Sequence, residues 1–209
     1  MLKNTPSKVT LNYQETQEET DPEGYTLIYE QEIVCQIVVD DGEQQQTQET
    51  LNVRVLILGS EQTLEKMKIE LSCENDLFFH FIHEVNEETF QQIKEGQQLT
   101  ASFIDYPAIC VKCLDKAHKD PNKYSAVLRI TQEGDAVIEI IQHTEYKNVE
   151  LIQFQFVSLP EESIRMAITK KYQKVKQKLQ QMENKLKDIN DVVKVKNPQL
   201  LLQMQRMNR

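Results

Sequence analysis

Cys110 and Cys113, in the stretch PAICVKCLDKAHK, are the one pair of side chains here with the spacing of a metal or redox motif, and His118 lies just beyond them. A closed zinc site takes four ligands, usually from a second CxxC or an HxxxH. The 209-residue sequence contains neither. A redox CxxC opens a helix just after a strand, and the Val-Lys between these cysteines adds no support for one. The expectation is two reduced cysteines on a short helix, one of them packing inward as a small apolar group. His80 and His83, in HFIHE, stand three apart. In a strand that spacing points them to opposite faces, which disfavours a shared metal. With five glycines there is no phosphate-cradling loop, and HExxH and GxSxG are absent. The acidic residues cluster in loop-like stretches, as a solvated surface does. No enzyme activity, metal or cofactor is expected.

One large side chain asks for a different kind of chemistry. In IIQHTEYKNVELIQFQF two strand-patterned runs flank the polar turn HTEYKN, and the turn carries Tyr146 at its tip between Glu145 and Lys147. Hairpin tips favour Gly, Asn and Asp. A tip aromatic is badly placed for its own core and well placed as an anchor in a partner's pocket. The plainer alternatives are a ring folded back on the sheet, or a lone exposed aromatic that needs no explanation.

The elements that would position Tyr146 follow from the pattern. Residues 1–24 are polar, lack periodicity and read as a disordered leader, with QETQEETDPEG ending in turn formers. Thr26 to Val39 alternates as a strand. DGEQQQTQET (41–50) is a Gln-rich loop, and LNVRVLIL pairs back as the second arm of a long hairpin. KMKIELS, DLFFHFIHEV and QLTASFI read as further strands, and NEETFQQIKEG as a helix with Asn86 as N-cap and Gly96 just past its end. A second helix opens at Pro107 and ends near Lys116. KYSAVLRIT, AVIEIIQ and VELIQFQFV form an antiparallel meander. The fold class is α+β: a small, mostly antiparallel, sandwich-like or barrel-like head of about seven strands over residues 25–159, with two short helices inserted together.

From residue 160 to 209 the character changes. Residues 163–209 hold 12 Lys/Arg against 3 Asp/Glu, whereas residues 1–162 hold 12 against 30. Ser158 and Glu161 are spaced as a capping box, with Pro160 in the first turn. Apolar residues then fall at Ile168, Tyr172, Val175, Leu179, Met182, Leu186, Ile189 and Val193, in alternating steps of four and three. That is a 3.5-residue repeat, the seam of a coiled coil, with Tyr172, Leu179, Leu186 and Val193 at a and the other four at d. A parallel two-stranded coiled coil and hence a homodimer are expected, weakened by flanking Lys176, Lys178 and Lys185 against Glu183. The lysines spread around the helix with little aromatic interleaving, which argues against nucleic acid as the partner. No run reaches the ~18 apolar residues of a membrane span, so a soluble protein is expected.

A β-rich head followed at once by a coil, with KIELSCENDLFFHFIHEVNEETFQQIKEGQQLTASFIDYPAICVKCLDKA at its centre, resembles the spindle assembly abnormal protein 6 family, the centriolar cartwheel protein. The resemblance covers about residues 66–180; the leader and the Gln-rich loop fall outside it. It implies a structural protein of the centriole and basal body, cytoplasmic and cytoskeletal, with other centriolar proteins as partners. It implies coil-mediated homodimers whose heads associate through the tip of the last hairpin, here Tyr146 where the family usually has Phe. It implies a receiving pocket on the helix Tyr106–Ala117 and the adjoining sheet edge, with Ile109, Cys113 and Ala117 as its candidates, and a ring of ninefold symmetry with the coils as spokes. It also implies a longer coil and a tail beyond Arg209. A DNA end-joining scaffold of the same head-plus-coil plan, or a nucleic-acid adaptor using the basic helix, are the rival readings.

Overall fold

Alternation of apolar and polar side chains builds the head. In the computed structural model, which describes residues 21, 23–39, 46–60, 63–131 and 133–196, Ile33, Cys35 and Ile37 of strand β1 (Thr26–Val39) face inward while Val34 and Gln36 face out. Leu51, Val53 and Val55 of β2 (Gln46–Ser60) and Met67, Ile69 and Leu71 of β3 (Thr63–Cys73) repeat the period of two. β4 (His80–Asn86), β5 (Tyr124–Ile130), β6 (Ala136–His143) and β7 (Asn148–Ser158) complete the set. The strands close into a barrel in the order β1-β2-β3-β4-β7-β6-β5. Every pairing is antiparallel except the closing one, where Cys35–Val39 of β1 runs parallel to Ala126–Ile130 of β5. Closure removes the open sheet edges through which strands aggregate.

The β2–β3 turn depends on a glycine. Gly59 has φ +103°, and a Cβ there would stand 2.2 Å from the Thr63 carbonyl oxygen, so no other residue fits without moving the backbone.

Two helices pack on the barrel. Asn86 caps α1 (Glu87–Gly96) reciprocally with Thr89, each side chain holding the other's backbone N–H at 2.9 Å. Phe90 of α1 is fully buried against Phe103 and Tyr106, ring centres 5.6 and 5.0 Å away. Gly96 is the last helical residue, not the one past it, and the left-handed position falls on Gln98, at φ 54°. α2 runs Tyr106–Lys119, one turn beyond the expected end at Lys116.

Three expectations need correction. QLTASFI is not a strand: a single 3-10 turn, Phe103–Asp105, lies there. Just before it, the Gln97 side chain pairs with the β7 backbone. β4 meets β7 only at Phe81–Ser158 and Ile82–Val157. Further along, the Gln97 amide donates to the Gln153 carbonyl at 2.7 Å and accepts from the Gln153 N–H at 2.9 Å, as a neighbouring strand would. Gln97→Ala leaves both backbone groups without that partner, and stability to urea should fall by about 2 kcal/mol. An unchanged urea midpoint would show that water replaces the amide without cost. The Gln-rich stretch is not loop throughout, because Gln46–Thr50 already belong to β2. The Ser158–Glu161 capping box does not form: Ser158 is a strand residue paired with Phe81, and the helix α3 (Glu161–Lys196) starts three residues later.

Of the leader, residues 1–20 and 22 lie outside the described residues, while Asp21, Glu23 and Gly24 form a turn. The Asp21 carboxylate accepts from the Glu23 and Tyr25 N–H groups at 2.9 Å. Lys68, 7% exposed on the outer sheet face, lies 3.8, 3.4 and 3.2 Å from the carboxylates of Asp21, Glu23 and Glu70, with its ammonium 4.3 Å above the Tyr25 ring. The chain divides into two compact units, residues 1–159 and 160–209. Among the described residues no helix is long and apolar enough to cross a membrane.

Candidate functional site

The residues with catalytic or metal-binding potential serve the core. Cys110 and Cys113 are both buried, where only one was expected to turn inward. Burial pushes the Cys110 thiol well above its ordinary range and raises Cys113 as well. Such sulfurs stay protonated and pack as apolar groups. His118 is exposed and donates from Nδ1 to the Glu32 carbonyl at 2.8 Å, tying α2 to β1.

His83 is 4% exposed, with its ring 5.8 and 5.7 Å from those of Phe154 and Phe156. Its Nδ1 lies 2.7 Å from the Gln155 carbonyl, which can only accept, so Nδ1 carries the proton and Nε2 faces the Tyr106 hydroxyl at 3.4 Å. Desolvation lowers the imidazole to about 4 from 6.5. The folded state then refuses a proton that the unfolded chain binds, so His83 contributes stability above pH 6.5 that is lost as the pH falls towards 4, on the order of 3 kcal/mol. Urea unfolding at neutral pH and near pH 4.5 should show His83→Asn losing less stability on acidification than the wild type. Equal losses would assign the acid sensitivity to the carboxylates instead.

The tip of the β6–β7 hairpin is built as a rigid mount. His143 donates from Nδ1 to the Asn148 side-chain oxygen at 2.8 Å, and its Nε2 meets the Ser125 hydroxyl at 2.9 Å, crossing from β6 to both neighbouring strands. The His143 N–H reaches the Lys123 carbonyl at 2.8 Å. Thr144 closes the turn, donating from its hydroxyl to the Lys147 carbonyl at 2.6 Å and accepting from the Lys147 N–H at 3.2 Å. Among the described residues Gln98 is the one non-glycine at positive φ. The tip therefore needs neither Gly nor Asn, and its conformation permits a large side chain. Tyr146 is 88% exposed, above every other exposed large hydrophobic described. Glu145 and Lys147 flank it, exposed and without an ion-pair partner among the described residues.

The helix expected to receive such an anchor has a different outer surface from the one anticipated. Ile109, Cys113 and Ala117 share one column of α2, but Cys113 and Ala117 are 9% and 6% exposed and belong to the core of their own head. Ile109 alone of the three is partly exposed. Beside this column lies a cavity of about 240 Å3, lined by Lys112, Asp115, Lys116, Lys119, Asp120 and Tyr124. Tyr124 is half-buried, with the Lys116 ammonium 5.2 Å from its ring centre. Sequence reasoning pointed to this helix and the adjoining sheet edge but not to these lining residues, because lysines on a helix read as solvated.

The α3 seam is exposed in the single chain. Tyr172, Val175, Leu179, Met182, Leu186 and Ile189 show 53–66% of their surface. Ile168 and Val193, at the ends of the series, are half-buried.

A family model described as the centriolar protein SAS N-terminal domain matches residues 27–156. Solved structures share the fold at low identity. An N-terminal fragment of Leishmania SAS-6 with parts of its coiled coil, in a mutant form, matches at TM-score 0.71 and 17% identity, over 84% of this chain and 98% of its own. An N-terminal fragment of Drosophila melanogaster Sas-6, described as dimerised via the coiled-coil domain, matches at 0.62 and 16%, over 94% and 100%. The N-terminal coiled-coil dimer of C. elegans SAS-6 matches at 0.62 and 13%, over 76% and 95%. A search of curated protein sequences finds no significant match.

Proposed function

The chain belongs to the centriolar protein SAS N-terminal domain family, and from that premise we propose that it is a self-assembling scaffold of the centriolar cartwheel, a dimer through α3 and a ring through its heads. Family membership supports reading it as a centriolar, cytoskeletal scaffold of structural kind rather than as an end-joining scaffold. The observation that carries the assembly reading is Tyr146, 88% exposed on a hairpin tip locked by its own hydrogen bonds. A preordered aromatic loses little conformational entropy on docking, which is what hot-spot anchors require.

The exposed α3 seam supports a parallel two-stranded coil, as in the Drosophila and C. elegans fragments described as coiled-coil dimers. β7 starts at the tip and ends at Ser158, next to the chain's exit at Leu159. Eleven strand residues span roughly 35 Å at about 3.3 Å each, so the tip and the exit stand at opposite ends of the strand. Each dimer then carries two tips. Repeated contacts of one geometry close into a ring when the angle between successive dimers allows, and closure adds stability through effective concentration. The family resemblance supports ninefold symmetry for that ring, with the coils as spokes.

Sedimentation velocity over a concentration series tests the reading. The wild type should grow beyond the dimer, and Tyr146→Glu should not. Identical behaviour of the two proteins, both folded, would remove Tyr146 as the anchor.

A further inference from the structure

We propose that the first heptads of α3, once two chains pair, form a docking surface for an acidic segment of another protein, and that its binding tightens the coil dimer. The inference rests on the parallel coil and adds what the flanks of that coil recognise.

One-sided charge on a helix carries it. From Met166 to Met182 the sequence holds five lysines, at 170, 171, 174, 176 and 178, and no Asp or Glu. Further on the balance reverses, with Lys185 and Lys187 against Glu183, Asp188 and Asp191. The whole stretch is helical, and every side chain from Lys170 to Lys178 is exposed. Lys171, Lys176 and Lys178 have no ion-pair partner among the described residues. A helix gains nothing from lysines set four apart, because like charges at that spacing repel.

The register concentrates this charge. With Tyr172 at a and Val175 at d, Lys171 and Lys178 are g residues and Lys176 is an e residue. In a parallel pair each g residue faces the e residue five positions on in the other chain. Lys171 then faces the partner's Lys176 on both sides of the seam. Each flank carries Lys171, Lys178 and the partner's Lys176 within about 10 Å of helix. Pairing the seams therefore crowds cations together, and a ligand that neutralises them binds the dimer better than the monomer. By linkage such a ligand strengthens the dimer.

Length and shape select the ligand. Nucleic acid draws its affinity from counterion release summed over many phosphates. Three cations per flank, followed by Glu183, supply little of that, and the Tyr172 ring that could stack on a base is taken into the seam. Carboxylates three to four residues apart on one helix face repeat about every 5 Å. Three of them span the same distance as the three lysines, whose long stems add apolar contact beneath the charges.

Sedimentation equilibrium of the full chain tests this with a short poly-L-glutamate peptide, in a Tyr146→Glu background so that only the coil is read. At low salt the peptide should tighten the dimer about tenfold, and ~1 M salt, where screening acts over about 3 Å, should abolish that gain. Lys176→Glu turns two repulsive cross-chain pairs into attractive ones. That variant should dimerise about tenfold more tightly by itself and gain less than about twofold from the peptide. A wild-type dimer indifferent to the peptide, or tightened equally by single-stranded DNA of the same charge, would overturn the assignment. So would an undiminished gain in Lys176→Glu, or salt-sensitive growth beyond the dimer without peptide, which would give the flank to a second copy's acidic head. Lys176→Glu also separates the two ideas. If it tightens the dimer while the peptide leaves the wild type unchanged, the parallel coil stands and the docking surface falls; if it does not tighten the dimer, both fall.

Discussion

Tyr146→Glu should leave the protein a dimer at every concentration, with a head as stable as the wild type. The two halves of that result have separate physical origins. A side chain 88% exposed contributes almost nothing to its own fold, so the melting temperature stays put. In the association reaction the same residue goes from water into a partner. Losing a central aromatic anchor costs about 2–4 kcal/mol, a factor of roughly 30 to 1,000 in affinity. A carboxylate in its place adds its own desolvation cost, which widens the loss. Tyr146→Phe separates ring from hydroxyl. A fall in affinity with Phe assigns a partner to the hydroxyl, while a rise shows that the hydroxyl is merely desolvated. Sedimentation velocity reads all three proteins, and an undiminished oligomer for the Glu variant would show that the head–head contact lies elsewhere.

The second large effect concerns the coil. Leu179→Asp combined with Leu186→Asp should convert the dimer to a monomer and remove most of the α3 helical signal, while the head keeps its unfolding transition. Both leucines occupy a positions and are 57% and 60% exposed in the single chain, so nothing described within the chain loses packing. In a parallel dimer each substitution sets two carboxylates against each other across the seam, in place of a buried leucine pair. Pairing is already weak, because Lys178 has Glu183 to face across the seam whereas Lys171 meets Lys176. A monomeric α3 has little to hold it helical, since most helical stability comes from packing an apolar face. Far-UV circular dichroism and sedimentation equilibrium check both statements. A persisting dimer would place the dimer contact outside the seam.

Local patterns carried part of this protein plainly. The period-two runs mark the β1 core residues Ile33, Cys35 and Ile37 and the β6–β7 hairpin, and Asn86 marks the start of α1. The 3.5-residue repeat in α3 needs no tertiary information, because a seam is a property of spacing along one helix. The failures share a cause as well. QLTASFI has strand composition, but the β7 backbone at Gln153 is held by the Gln97 amide, and composition cannot say which group reaches β7 first. Cys110 and Cys113, three apart, share one face of α2, and both turn inward because Tyr106 and Leu114 bury that face.

What the sequence determined by itself is therefore the parts list and the faces: the seven strands that form, beside an eighth in QLTASFI that does not, two inserted helices, an acidic head, a basic helix with an apolar seam, and an aromatic at a polar turn. Each of these follows from neighbours within a few residues. What only the tertiary structure decided is how distant pieces meet: the parallel closure of β1 on β5, the buttress of His143 against Ser125 and Asn148 that holds Tyr146 outward, and the groove where Tyr124 of β5 lies beside the lysines of α2. Those meetings depend on barrel closure, in which each strand's position is set by all the others at once, so no segment carries them alone.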